Sequence, residues 1–199
     1  MKPDRLNALT DGVVAIAITI VVLELPIPHE PTFAGLRQVG PTLLAYLLSF
    51  INIGIFWNNH HHMLMTAKHL DGRVLWPNLA LLFFISLFPF VIRWMDEADF
   101  APLPVAAYGV VLVGAALAYQ VLERSIIAVH GEQGVLARAI GDDWKGRLSL
   151  LGYGMGAALA FVSPLIAIGI YVVIALVWLV PDLRIEQQIL ADHERDTRS

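Results

Sequence analysis

The sequence contains no cysteine, which excludes disulfides, thiolate nucleophiles and cysteine-held metals. It is poor in charge: Asp, Glu, Lys and Arg make up 15% of its 199 residues, against about 25% in a soluble globular domain. Positive charge is not in excess either, since 13 basic residues stand against 17 acidic ones for a net charge of −4. With no basic patch, nucleic acid is not a partner. No stretch shows the two-residue alternation of membrane β-barrel strands. Apart from a short tail, no polar segment is long enough for a soluble catalytic module, so an enzyme is not expected.

What remains is apolar. Hydrophobic residues make up 57% of the chain and its mean hydropathy is +0.67. They come in blocks of about 18–25 residues, the length a helix needs to cross roughly 30 Å of hydrocarbon. Because lipid leaves no partner for an unpaired backbone group, such blocks are expected to be helices. The reading is therefore an all-α integral membrane protein with six transmembrane helices. They run over Ala8–Leu25, Pro41–Met65, Val74–Trp94, Pro104–Leu122, Leu148–Phe161 and Leu165–Val180. The first block is expected to be a retained span rather than a cleaved leader, because it carries Asp11 and Glu24 and ends in Leu25-Pro26. Residues 1–181 form the membrane domain and residues 182–199 a charged tail.

Orientation follows from the basic residues. Eleven of them fall on one side (Lys2, Arg5, Lys68, Arg73, Arg124, Arg138, Lys145, Arg147, Arg184, Arg195 and Arg198) and only Arg37 and Arg93 on the other. That bias places both termini in the cytoplasm, in a multi-pass protein of the plasma membrane. The connection Glu123–Arg147 is then cytoplasmic and partly helical, and the outer loops carry acid in Glu30, Asp96, Glu97 and Asp99. These acids are read as solvated, with Glu24 beside them at the outer end of span 1.

This topology gathers the few intramembrane polar groups at one depth. Span 1 runs outward, so Arg5, Thr10 and Asp11 lie at its inner end. Span 2 returns inward and brings "FWNNHHHML", with Trp57, Asn58, Asn59, His60, His61 and His62, to the same layer, where span 3 opens with Trp76, Pro77 and Asn78. Three consecutive histidines point to three sides of a helix, whereas ligands on one face need a spacing such as i, i+4. No metal or other cofactor is therefore expected. An unpaired ionisable group is costly at such a depth, so a hydrogen-bonded network tying helix 1 to spans 2 and 3 is expected.

With Asp11 committed to that network, Gly12, Ile16, Thr19 and Leu23 fall within roughly 100° of arc along helix 1. The stripe reads either as helix packing and lipid contact, with Thr19 bonding back to the carbonyl of Ala15, or as a pore lining with an apolar constriction beside a ring of hydroxyls. Wheel geometry leaves both open.

The stretch Arg5-Leu-Asn-Ala-Leu9-Thr10-Asp11-Gly12 resembles the RxxxFSD(G) opening of the first helix in the transmembrane-protein-175 family of lysosomal and bacterial potassium channels. Leu9 stands for Phe and Thr10 for Ser. The run "VVAIAITIVVLELPIP", the Trp57–histidine cluster and "WLVPDLR" ending at Arg184 are similar as well, and six spans in this length resemble the single-repeat prokaryotic form. The resemblance implies a homotetramer whose four first helices line a central pore for K⁺ without a TVGYG filter. It further implies that Ile16 is the constriction, Leu23 a second apolar ring, Thr19 the selectivity hydroxyl, and Gly12 and Ile20 pore lining. Arg5, Thr10, Asp11, Trp57, His60, His61, His62 and Asn78 would form the polar network behind that helix. A proton path through Asp11 and His60–His62 is the alternative. A secondary transporter would favour inverted repeats, and none is visible.

Gly152, Gly154 and Gly156 suggest close helix packing in span 5. Trp94, Tyr108, Trp144, Tyr171 and Trp178 are read as interface or lipid-facing aromatics.

Overall fold

The computed structural model describes residues 3–67, 70–131, 134–140 and 143–179, all helix or short connection, with no strand among the described residues. The helices are α1 (Pro3–Leu23), α2 (Phe33–Gln38), α3 (Gly40–Met65), α4 (Gly72–Ser86), α5 (Phe88–Glu97), α6 (Pro102–His130), α7 (Val135–Ile140), α8 (Trp144–Leu159) and α9 (Pro164–Leu179). Local chemistry sets their limits. Thr32, Asp71 and Asp143 cap α2, α4 and α8 by accepting from Gly35, Arg73 and Gly146 N–H at 3.1, 2.8 and 3.0 Å. Proline sits in the first turn of α3, α5 and α6, where its missing N–H costs nothing. α6 ends at Gly131, whose φ of 81° favours a residue without Cβ.

Among the described residues, four segments are long and apolar enough to cross a membrane: α1, α3, the combined Gly72–Glu97 stretch and α6. α9 is apolar but has only 16 residues, and α8 has 16 as well. Three features differ from the sequence reading. The third block is not one helix; it breaks at Leu87, since Pro89 offers no N–H to continue the ladder across the junction. The fourth helix does not stop at Leu122 but runs into the connection as far as His130. α1 starts at Pro3, a turn before the apolar block. The tail over residues 182–199 lies outside the described residues.

α6 is the central helix, packed on α4, α5, α8 and α9, while α1 packs on α3, α4 and α5. Tyr108 and Tyr171, expected at the interface, are instead fully buried beside this helix. They fit because glycines open space: a Cβ on Gly109 or Gly156 would overlap the Tyr171 ring or hydroxyl. The span-5 glycines behave in part as expected. Gly152 and Gly156 pack against Ile174 and Tyr171 of α9, whereas Gly154 faces open space. Tyr108 hydroxyl also meets Ser49 Oγ at 3.1 Å and Asn52 Nδ2 at 3.2 Å, joining α3 to α6 through a buried polar cluster.

Candidate functional site

α1 buries one face and exposes the opposite one. Leu6, Thr10, Val14, Ala17 and Val21 recur at spacings of three and four and are buried against α3, α4 and α5. Gly12, Ile16, Thr19, Ile20 and Leu23 lie on the other side, all exposed, Ile16 by 62% and Leu23 by 75%. Thr19 donates its hydroxyl hydrogen to Ala15 C=O at 2.8 Å. With its hydrogen committed to that carbonyl, the hydroxyl oxygen of this exposed residue is left as an acceptor.

The polar layer brings α1, α3 and α4 together through two separate connections. Trp57 Nε1–H donates to Asp11 Oδ1 at 2.7 Å, a short bond to an ionisable acceptor at the edge of the exposed stripe. His61 stacks on the Trp57 indole with centroids 6.0 Å apart and planes 23° from parallel. Deeper, His60 Nε2 lies 2.7 Å from Asn78 Oδ1, and Asn78 Nδ2 lies 3.5 Å from Thr10 Oγ1. The direction follows from Asn78: its amide N–H points to Thr10, so its oxygen accepts Nε2–H from His60. All three residues are buried, His60 to 1% exposure.

The three histidines thus part ways, as their 100° steps require. His60 enters the core, His61 caps the Trp57 ring, and His62 lies half-buried with its ring 6.0 Å from that of His61. Among the described residues no three His, Asp or Glu side chains converge on a common point as a metal site. Arg5, Asn58 and Trp76 are exposed and do not join the layer. Asn59 faces away from α1, and its carbonyl accepts from Tyr119 Oη–H at 3.3 Å.

At its other end α1 is held by charge. Arg93 of α5 reaches Glu24 with Nη1···Oε2 at 3.1 Å and Glu97 with Nε···Oε1 at 2.8 Å. Asp96 accepts from the Thr42 hydroxyl. Glu24, Asp96 and Glu97 thus have partners, where the sequence suggested solvation. The signal for this was present in Arg93, the sole basic residue in that block of span 3.

Comparison with known proteins agrees with this architecture. The family model described as "Endosomal/lysosomal potassium channel TMEM175" matches residues 5–89, which hold α1, α3, α4 and the whole polar layer. A potassium channel of Chryseobacterium sp. (strain P1-3) is 47% identical over 189 residues, covering 95% of this chain and 98% of the relative. The crystal structure of a lysosomal potassium-selective channel TMEM175 homolog from Chamaesiphon minutus superimposes with a TM-score of 0.79. It is 26% identical and covers 90% of this chain and 97% of that one. The endosomal/lysosomal proton channel TMEM175 of Gallus gallus is 28% identical over 109 residues, 49% of this chain and 22% of the relative.

Proposed function

Because the chain belongs to the TMEM175 family of ion channels, we propose that it is a potassium-permeable leak channel of the plasma membrane. It crosses the membrane six times with both termini cytoplasmic, and four copies surround a pore lined by α1. The observation that carries this reading is the continuous exposed stripe of Gly12, Ile16, Thr19, Ile20 and Leu23 opposite the buried face of the same helix. A wholly lipid-facing helix needs no row of small residue, branched apolar residue and hydroxyl in register. A fourfold pore uses each. Four Ile16 side chains form a constriction that a hydrated ion passes only by shedding water, and the less strongly hydrated K⁺ sheds it more readily than Na⁺. Four Thr19 oxygens then meet the partly dehydrated ion with their lone pairs. Leu23 adds a second apolar ring toward the outer end. The network of Asp11–Trp57 and His60–Asn78–Thr10 holds the helix in the rotation that turns this stripe to the axis.

Proton conduction is the second reading, favoured by the hydrogen-bonded chain His60–Asn78–Thr10 and by the name of the Gallus gallus relative. A proton path needs ionisable groups across the whole thickness. Along α1, Glu24 alone continues the series beyond Asp11, and it is paired with Arg93.

The test is flux from liposomes holding the purified protein under a K⁺ or Na⁺ gradient, with a pH-sensitive dye inside. Wild type is expected to pass K⁺ faster than Na⁺, Ile16→Asn to raise total flux and erode the preference, and Thr19→Ala to lower the preference at similar flux. If neither ion moves, or if both variants match wild type, α1 does not line the pore. Dye acidification without K⁺ flux would replace the potassium reading with the proton one.

A further inference from the structure

On the side of α3 turned away from α1, the helices α3, α6, α7, α8 and α9 line a cavity of about 80 Å³ that is open on one side. Its polar lining includes Asn59 from α3, Tyr119, Gln120 and Glu123 from α6, Asp143 and Ser149 at the start of α8, Tyr153, and Trp178 from α9. Glu123 and Gln120 each hold a buried polar group without a partner. Glu123 is only 8% exposed and, among the described residues, makes no hydrogen bond or ion pair. Gln120 Nε2 is buried with no acceptor. Asp143 and Ser149 are already engaged: Asp143 Oδ1 accepts from Gly146 N–H at 3.0 Å, and Ser149 Oγ donates to Lys145 C=O and accepts from Trp178 Nε1 at 2.7 Å.

A buried carboxylate without a counter-ion is expensive, and so is an unmet amide donor beside it. Both line the same space, and one small body that donates to Glu123 and accepts from Gln120 would satisfy the two together. A hard metal ion does not fit, since it requires six or more oxygens and no third carboxylate or imidazole converges here among the described residues. Aromatic walls suit an organic cation instead, and Lys145 Nζ already sits 4.8 Å from the centre of the Trp178 ring in that manner. Arg124, the neighbouring cation on α6, is exposed; it acts on Glu123 through its charge but, among the described residues, forms no ion pair with it. The cavity exceeds the roughly 10–15 Å³ needed for a single water-sized group in this measure of volume. A short amino alcohol is the smallest organic body that carries both an ammonium and a hydroxyl oxygen.

We propose that this cavity is a binding site for a small amino-alcohol cation, its ammonium held by the Glu123 carboxylate and its hydroxyl oxygen accepting from Gln120. Binding is read without ion flux, so the proposal stands or falls apart from the conduction reading. The full-length protein in detergent is titrated with ethanolammonium chloride at constant ionic strength while its unfolding temperature is followed. A saturable rise is expected, absent with ethylene glycol or with KCl alone. Glu123→Gln should weaken half-saturation about tenfold or more, the loss of a charged hydrogen bond, while Glu30→Gln, at an exposed loop acid, leaves it unchanged. Ala116→Leu, which fills the cavity from α6 with Glu123 still in place, should abolish the response. No saturable rise in wild type, or an equal rise in Glu123→Gln or in Ala116→Leu, overturns the assignment.

Discussion

Asn78→Leu removes both polar atoms of the buried connector while keeping the number and branching of side-chain heavy atoms, and a double-mutant cycle with His60→Leu separates the hydrogen bonds from the bulk of the two methyl groups. Two partners are affected unequally. His60 loses a 2.7 Å bond in a fully buried setting, whereas Thr10 loses a contact of 3.5 Å, at the outer limit of useful geometry. Leaving a buried donor unmade costs about 1–3 kcal/mol in soluble proteins. Polar pairs between membrane helices couple more weakly, by about 0.6 and at most about 1.7 kcal/mol. The expected loss for Asn78→Leu is therefore about 1–2 kcal/mol, nearly all of it through His60. Thr10→Ala should cost no more than a few tenths through this bond. Pairing Asn78→Leu with His60→Leu removes donor and acceptor together, so about 1 kcal/mol of coupling should return. The assay is reversible unfolding of reconstituted protein with sodium dodecyl sulfate, followed by helical circular dichroism. The reasoning fails if Asn78→Leu lies within about 0.3 kcal/mol of wild type, or if Thr10→Ala costs as much as His60→Leu.

Two further outcomes use the same unfolding measurement. Gly109→Ala places a Cβ against the Tyr171 hydroxyl and 2.9 Å from Ala157 Cβ, so it should cost about 1–3 kcal/mol by overpacking. Gly54→Ala, with nothing within 4 Å of the new atom, should stay within about 0.5 kcal/mol of wild type; equal effects would refute the packing account. Arg93→Gln breaks the contacts to Glu24 and Glu97, but the Arg93 side chain is 59% exposed. Its loss is therefore expected to be small at low salt and to shrink as salt rises. A loss that does not change with salt would mean that the cost arises from packing instead.

The organisation of the site was largely legible in the sequence, because membrane topology does much of the work of tertiary structure. Once α1, α3 and α4 alternate in direction, the N-terminal end of α1 meets the C-terminal end of α3 and the N-terminal end of α4, and Asp11, Trp57 and Asn78 share a layer before any packing is known. Which histidine turns inward was not legible. That depends on the rotation of α3 against α4, which the apolar blocks leave undetermined since residues on every side are hydrophobic. The same ambiguity hid Tyr108 and Tyr171. In a membrane an aromatic residue suits lipid and core equally, and only the glycines at positions 109 and 156, facing Tyr171, distinguish the two. Glu123 was assigned to a polar connection because the apolar block ends at Leu122. Yet it falls between Leu122 and Ile126 on the buried face of a helix that continues to His130, and that register was the available signal.

The anchoring of α1 follows from the chemistry of its buried face. Along its middle, Val14, Ala17 and Val21 are small or branched apolar residues. In a bilayer such residues distinguish little between one rotation of the helix and another, because lipid is as apolar as the neighbouring helices. Directional bonds supply what packing there cannot. Asn78 and Trp57 hold Thr10 and Asp11 in its N-terminal half, and Arg93 holds Glu24 one residue beyond its C-terminal end. A turn of α1 by one residue position, about 100°, would break all three contacts at once and bury part of the Ile16–Thr19 stripe. The polar groups at the ends of this helix are therefore what gives an otherwise featureless apolar span a defined outward face, and any role for that face depends on them.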